Sequence, residues 1–356
     1  MSEWKTVRLG DYITEYSVKN KSNEDIPVYS VTNTQGFCTE YFSKDVSSKD
    51  KSNYKIVPRG CFAYNPSRIN VGSVDWQRYE DRVIVSPLYN VFKVSPELEN
   101  QYLYYFLKSD IGHTLITSKA EGSVRDNLKI TMLAEFSIPL PPLEEQKHIA
   151  AMLDKCTALV TKYKLMLEKY DTLIKSRFIE MFGDPKINSS NLPTKKFIEV
   201  VKLQRGFDLP VQERNQDGLF NVYGSNGPLD THDSFKVKAP GIVTGRSGTL
   251  GNVYYVLEDY WPLNTTLFSV DIHNNNVVYL KYLLELYDLS RFSEGAGVPT
   301  LNRNIVHDKD IIDVPLSLQN DFAAFVQQID KSKFAVQKLL EKAETLYKSL
   351  MQLYFA

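Results

Sequence analysis

The segment Gly245-Arg246-Ser247-Gly248-Thr249-Leu250-Gly251 sets small residues around one arginine. Glycines let backbone amides approach a phosphate, and a guanidinium can fork onto guanine O6 and N7. The same string could also build a plain β-hairpin turn. In the first half of the chain, Tyr64-Asn65-Pro66-Ser67-Arg68-Ile69-Asn70-Val71-Gly72-Ser73 offers a comparable set. Arg68 suits guanine or phosphate, Asn65 or Asn70 suits adenine N6/N7, and Ser67 and Ser73 are further DNA-contact candidates. The bland alternative is a turn capped by Asn and Ser. Ser225 and Asn226, within Tyr223–Pro228, and Ser247 and Thr249 add further polar candidates. Arg125 and Lys129 follow one glycine-containing segment, and Asn302 and Arg303 follow another. These four suit phosphate contact, with solvated surface as the competing reading.

No pattern for bond-making chemistry accompanies these segments. Asn65-Pro66-Ser67-Arg68 lacks the second proline and the aromatic residue of an adenine methyltransferase tetrapeptide. Gly245–Gly251 is neither a dinucleotide fingerprint nor a phosphate-binding loop, because no Lys-Ser/Thr follows. Five histidines and three scattered cysteines form no metal-ligand spacing. The chain is therefore expected to be non-catalytic, without metal or cofactor. Its thiol usage fits a reducing cytoplasm, and its apolar runs stop well short of the ~20 residues that a membrane span needs.

The charge balance restricts how nucleic acid could bind. Net charge is −1. Residues 1–141 hold 17 basic and 17 acidic groups, and residues 187–316 hold 12 and 15. Phosphate contacts supply most non-specific affinity, so the isolated chain is expected to bind DNA weakly, through local patches or with help from partners.

The elements that must carry these segments are legible from an internal repeat. Residues 142–182 align without a gap on residues 315–355 at an offset of 173. Matches include Pro142/Pro315, Gln146/Gln319, Leu167-Glu168-Lys169/Leu340-Glu341-Lys342 and Phe182/Phe355. Ile149, Cys156, Tyr163 and Tyr170 fall seven apart, with Met152, Leu159, Met166 and Leu173 as a second apolar line. In the second copy the lines are Phe322, Ile329, Val336, Ala343, Leu350 and Phe325, Leu339, Leu346, Leu353, with Ser332 the polar exception. That spacing predicts two coiled-coil helices, each roughly 55 Å long. The preceding regions alternate β-type runs with turns: Ile26–Val31, Val83–Val94 and Glu135–Leu140, then Gly241–Thr244, Asn252–Leu257, Thr266–Ile272 and Ile311–Val314. The expected fold class is α/β (α+β), with two similar domains at 1–141 and 187–314 and long helices at 142–186 and 315–356. Because compact domains keep their termini close, the helices should run antiparallel in a pseudo-two-fold arrangement.

At this point the chain resembles the specificity subunits of type I restriction–modification enzymes. The resemblance is carried by Ile138-Pro139-Leu140-Pro141-Pro142-Leu143-Glu144-Glu145-Gln146 running into Ile149-Ala150 and Leu153-Asp154. The opening Trp4-Lys5-Thr6-Val7-Arg8-Leu9-Gly10-Asp11, Tyr223–Pro228 and Gly245–Gly251 are similar too. The second helix departs mildly, since Pro315-Leu316-Ser317-Leu318-Gln319 lacks the double proline and the acidic pair. The resemblance implies two target-recognition domains reading a bipartite, asymmetric site on double-stranded DNA. It implies two methyltransferase subunits as partners and, for restriction, translocase/nuclease subunits, with S-adenosylmethionine, ATP and Mg confined to those partners. Pro141, Pro142, Glu145, Gln146 and Gln319 are the expected partner-binding positions. A scaffold with decayed recognition domains, and the recognition half of a split restriction–methylation enzyme, remain as other readings.

Overall fold

The computed structural model describes residues 4–39, 50–120, 127–295, 297 and 299–355. Two compact units divide the chain: Met1–Lys162 with Leu339–Ala356, and Tyr163–Lys338.

In the first unit, ten strands precede a long helix. They are β1 (Lys5–Arg8), β2 (Ile13–Glu15), β3 (Ser30–Thr32), β4 (Gly36–Cys38), β5 (Lys55–Pro58), β6 (Phe62–Tyr64), β7 (Val74–Trp76), β8 (Arg82–Val85), β9 (Asn90–Val94) and β10 (Ser137–Leu140). Between β9 and β10 lie α1 (Asn100–Lys108), α2 (Asp110–Ala120) and α3 (Ile130–Leu133), and α4 spans Leu143–Phe182. An antiparallel sheet runs β2-β9-β6-β7, with β1-β10, β3-β4 and β5-β8 as separate pairs. The run expected as one strand over Val83–Val94 is split, because Tyr89 turns back to hydrogen-bond the Ser86 carbonyl at 3.1 Å. Ile26–Val31 narrows to a strand beginning at Ser30, since Pro27 has no amide to give a ladder.

The second unit repeats the plan. It holds β11 (Thr194–Lys196), α5 (Phe197–Val200), β12 (Lys202–Arg205), β13 (Phe220–Gly224), β14 (Gly227–His232), β15 (Gly241–Gly245), β16 (Val253–Val256), β17 (Tyr260–Pro262) and β18 (Thr266–Asp271). α6 (Val277–Tyr287), β19 (Ser293–Glu294), β20 (Thr300–Leu301), α7 (Arg303–His307) and β21 (Asp310–Ile312) follow, and α8 (Leu316–Phe355) begins in this unit and ends in the first. Its four-stranded sheet is β12-β18-β15-β16. In both sheets the order is first, fourth, second, third along the chain, so the two units share a topology.

Each unit takes part of both long helices into its core, so the helices are not domains apart. In the first unit Ile149 and Leu153 of α4 and Phe355 of α8 share a core with Tyr102 and Phe106. The Phe355 ring lies 5.2 Å from Tyr102 and 6.1 Å from Phe106. In the second unit Ile174, Phe178 and Phe182 of α4 meet Phe322 and Val326 of α8. There Phe178 stands edge-on to Phe322 at 5.3 Å and Phe182 to Tyr279 at 5.3 Å. Within each unit, then, the start of one helix meets the end of the other. α4 stops at Gly183, whose φ of +76° suits glycine and whose amide returns to the Ile179 carbonyl at 2.8 Å.

One expectation about the helices is corrected. The line Ile149, Cys156, Tyr163, Tyr170 is buried or half-buried, but its companion lies four residues on, at Leu153, Val160, Leu167 and Ile174. Leu159 and Leu173 from the expected companion line are exposed, as are Leu339, Leu346 and Leu353 of α8, at 40–50%. In α8 the companions are Val326, Lys333, Leu340, Tyr347 and Tyr354. Both the third and the fourth positions are apolar along α4, so heptad counting could not choose between them, and side-chain packing did.

Candidate nucleic-acid interface

The two segments singled out by residue type occupy the same place in their units. Residues 65–73 connect β6 to β7, and residues 246–252 connect β15 to β16. Each is tied to the chain just before a short helix. Leu128 donates its amide to the Pro66 carbonyl at 3.1 Å, and Leu301 donates to the Arg246 carbonyl at 2.8 Å.

In the first unit Asn65 Oδ1 accepts the Ser67 amide at 3.1 Å and the Ser67 hydroxyl at 2.9 Å. That Asx turn spends the Asn65 acceptor and leaves its NH2. Ser67 and Arg68 are exposed. The chain then closes into a single 3₁₀ turn, Ile69–Val71, ended by Gly72 at φ +88°. Asn70 is half-buried, and its side-chain oxygen is enclosed without a hydrogen-bond partner. Ser73 is a correction: at 4% exposure it faces inward and cannot reach a base. Lys129 is exposed directly before α3. Arg125 lies outside the described residues.

In the second unit the Arg246 and Ser247 amides both reach the Thr265 carbonyl, at 2.8 and 3.2 Å. A guanidinium nitrogen of Arg246 contacts the Asn264 carbonyl at 3.4 Å. Arg246 and Ser247 are half-buried, whereas Thr249 is exposed. Ser225 and Asn226 form the β13–β14 turn, and a Cβ at Gly245 would lie 3.4 Å from that of Ser225. The turn and the loop therefore meet on one surface. Asn302 caps α7 with its side-chain oxygen, accepting the Asn304 amide at 3.1 Å, and keeps its NH2 as a donor. Arg303 is exposed beside it. His307 closes the same helix, with its Nε2 taking the Leu203 amide at 3.0 Å.

The expected partner-binding positions divide. Pro142 is exposed and Glu145 half-exposed, whereas Pro141 is buried. Gln146 and Gln319, at 1% and 2% exposure, are corrections: each is consumed by hydrogen bonds inside its own unit. Residue type could not show this, since glutamine is usually exposed.

Two groups beside the first loop were missed from the sequence. Lys108 and Asn33 adjoin Gly72, although they stand 36 and 39 positions away along the chain. The Thr32-Asn33-Thr34-Gln35-Gly36 turn between Val31 and Phe37 was the available signal. Among the described residues no group of His, Cys, Asp and Glu could hold a metal ion, and no helix is long and apolar enough to cross a membrane.

The chain is similar to several known proteins. Residues 1–169 match the type I restriction modification DNA specificity domain family. The putative type I restriction enzyme MjaX specificity subunit of Methanocaldococcus jannaschii is 20% identical over 266 residues, covering 71% of this chain and 61% of that protein. The EcoKI specificity subunit of Escherichia coli is 34% identical over 74 residues, covering 21% of this chain and 16% of that protein. The chain thus spans less than two thirds of the length of these relatives. The solved S subunit of a type I restriction-modification system from M. genitalium superposes with a TM-score of 0.64 at 17% identity, covering 99% of this chain and 96% of that one. A chain from a structure of type I R-M complex assembly and conformational transition gives 0.59 at 17%, covering 100% and 98%. Residues 1–169 are thus similar to the type I restriction modification DNA specificity domain family, and the chain shares its fold with the solved S subunit from M. genitalium.

Proposed function

We propose that this chain is the non-catalytic recognition subunit of a type I restriction–modification enzyme and reads a bipartite, asymmetric DNA site. The observation that carries the reading is the duplicated interface. Each unit sets a hairpin turn against the loop between the second and third sheet strands, and the residues on the two surfaces differ. Asn65, Ser67 and Arg68 stand on one; Ser225, Asn226, Arg246 and Thr249 stand on the other. Different donors and acceptors select different bases.

In this reading α4 and α8 form an antiparallel coiled coil that sets the gap between half-sites. The exposed leucines beside the buried seam, with Pro142, supply apolar docking surface for methyltransferase subunits, and Glu145 adds a charged contact. Translocase/nuclease subunits would join for restriction. Methyl transfer and ATP hydrolysis then belong to those partners. Near-neutral charge fits a subunit that shares its phosphate contacts with them.

The test is methylome sequencing of cells carrying the chain with its cognate methyltransferase. One motif of two unlike halves and a fixed gap is expected. An assembled complex that methylates no defined motif would overturn the reading in favour of a scaffold with decayed heads, which the acidic excess of residues 187–316 would suit.

A further inference from the structure

The turn Asn33-Thr34-Gln35 joins β3 to β4, and all three residues are exposed. Two charges fix it against the sheet. Asp75 of β7, 3% exposed, accepts the Phe37 amide at 3.2 Å and is paired with Arg78. A Cβ at Gly36, where φ is +62°, would collide with the Asp75 carboxylate, so the hairpin sits as near β7 as a backbone can. On the other side Lys108, the last residue of α1, donates to the Asn33 carbonyl at 3.3 Å, to Asn33 Oδ1 at 3.2 Å and to the Gly72 carbonyl. Three acceptors saturate an ammonium. Gly72 ends the 3₁₀ turn of the 65–73 loop, and a Cβ there would strike Asn33 Oδ1. Lys108 thereby binds the hairpin turn and the candidate DNA loop into one surface.

The chemistry of that clamp has a direction. An ammonium only donates, so the Asn33 amide must turn its oxygen toward Lys108 and its NH2 away. An outward NH2 is a donor. In a major groove it suits guanine O6 and N7, adenine N7 or thymine O4, and it opposes the cytosine amino group. The second unit has a turn in the same position: Ser225 lies beside Gly245 and Gly248.

We propose that Asn33 is a donor-type base-reading residue for the first half-site, and that Lys108 is the positioning residue that orients its amide against the 65–73 loop. This rests on the DNA-reading function proposed above.

The test uses the full complex with its methyltransferase, on DNA in which the first half-site is randomised and the second kept. Asn33→Asp is nearly isosteric and keeps the Lys108 contact, but it places an oxygen where the NH2 stood. It should lower methylation of the cognate site by about tenfold or more. Preference at one position of the first half-site should shift toward a base that presents an amino group, with the second half-site unchanged. Lys108→Met should weaken selection at that same position without reversing it. Melting temperatures near wild type for both variants are expected, and Asn33→Ser serves as a smaller replacement if Asn33→Asp unfolds. A uniform loss over all bases would make Asn33 a phosphate neighbour and overturn the proposal. So would an unchanged motif in the Asn33→Asp complex. A wild-type complex with no motif at all would instead sink the DNA-reading function itself.

Discussion

The side-chain oxygen of Gln146 accepts the backbone amide of Glu99 at 2.8 Å. Its NH2 donates to the Pro141 carbonyl at 2.8 Å and the Glu97 carbonyl at 3.0 Å. Gln319 repeats the arrangement, taking the Asn276 amide at 2.8 Å and giving to the Val314 carbonyl and Asn275 Oδ1 at 2.8 and 2.7 Å. Glu99 and Asn276 are the N-caps of α1 and α6. Each long helix is thus latched by its first turn to the first turn of a short helix in its own unit.

Gln146→Ala and Gln319→Ala should each lower stability, by roughly 1–3 kcal/mol for every buried group left without a partner. Urea unfolding monitored by circular dichroism measures it. Wild-type midpoints in both variants would show that the latch contributes nothing.

Phe355→Ala removes a ring buried against Tyr102 and Phe106, and should cost about 3–5 kcal/mol. Amide exchange should quicken in α1, while α6 in the other unit keeps its protection. Equal acceleration in both helices would mean that the ring does not act through the first unit's core.

On the proposed DNA-reading function, Arg246→Ala should relax or abolish methylation at one half-site, with assembly intact; a lost guanine fork costs roughly 1–3 kcal/mol of discrimination. A uniform fall in affinity over unrelated sequences would mark Arg246 as a phosphate contact. Unchanged kinetics on the cognate site would remove it from the interface.

His307 accepts the Leu203 amide, so its Nε2 is unprotonated in the fold. Burial, and then the Arg303 and Lys202 charges, push its pKa below the ordinary imidazole value, with Asp308 opposing. The unfolded chain therefore binds the extra proton first as pH falls. Stability is full above the unfolded value of about 6.5 and declines as pH drops from there toward the folded value. His307→Gln keeps an acceptor that does not titrate, and its unfolding midpoint should be flatter than wild type in that window. Parallel curves would exclude His307.

On the proposed spacer role, one heptad inserted after Lys162 with another after Lys338 preserves the buried line of each helix. It should lengthen each helix by ~10 Å, about three base pairs. The half-sites should stay the same while the gap between them grows by about two to four base pairs, provided that DNA twist accommodates the rotation. Methylation that keeps only the original gap would dismiss the helices as the spacer.

Residues 142–182 and 315–355 by themselves determined two long helices, because heptad spacing and matching prolines act through local backbone geometry. The place of the paired loops after a strand was legible too, since glycine, asparagine and serine in Asn65–Ser73 and Gly245–Gly251 favour turns. Packing decided the rest. Leu153 rather than Met152 became the seam partner of Ile149, a choice between two apolar neighbours that only the opposing surface can make. Gln146 and Gln319 went inward because orphaned amides and carbonyls were there to be satisfied, and an orphaned amide exists only once α1 or α6 has docked. Asn33 and Lys108, 75 residues apart, came into contact because Gly36 and Gly72 let separate segments approach closely, and that closeness is a property of the folded chain.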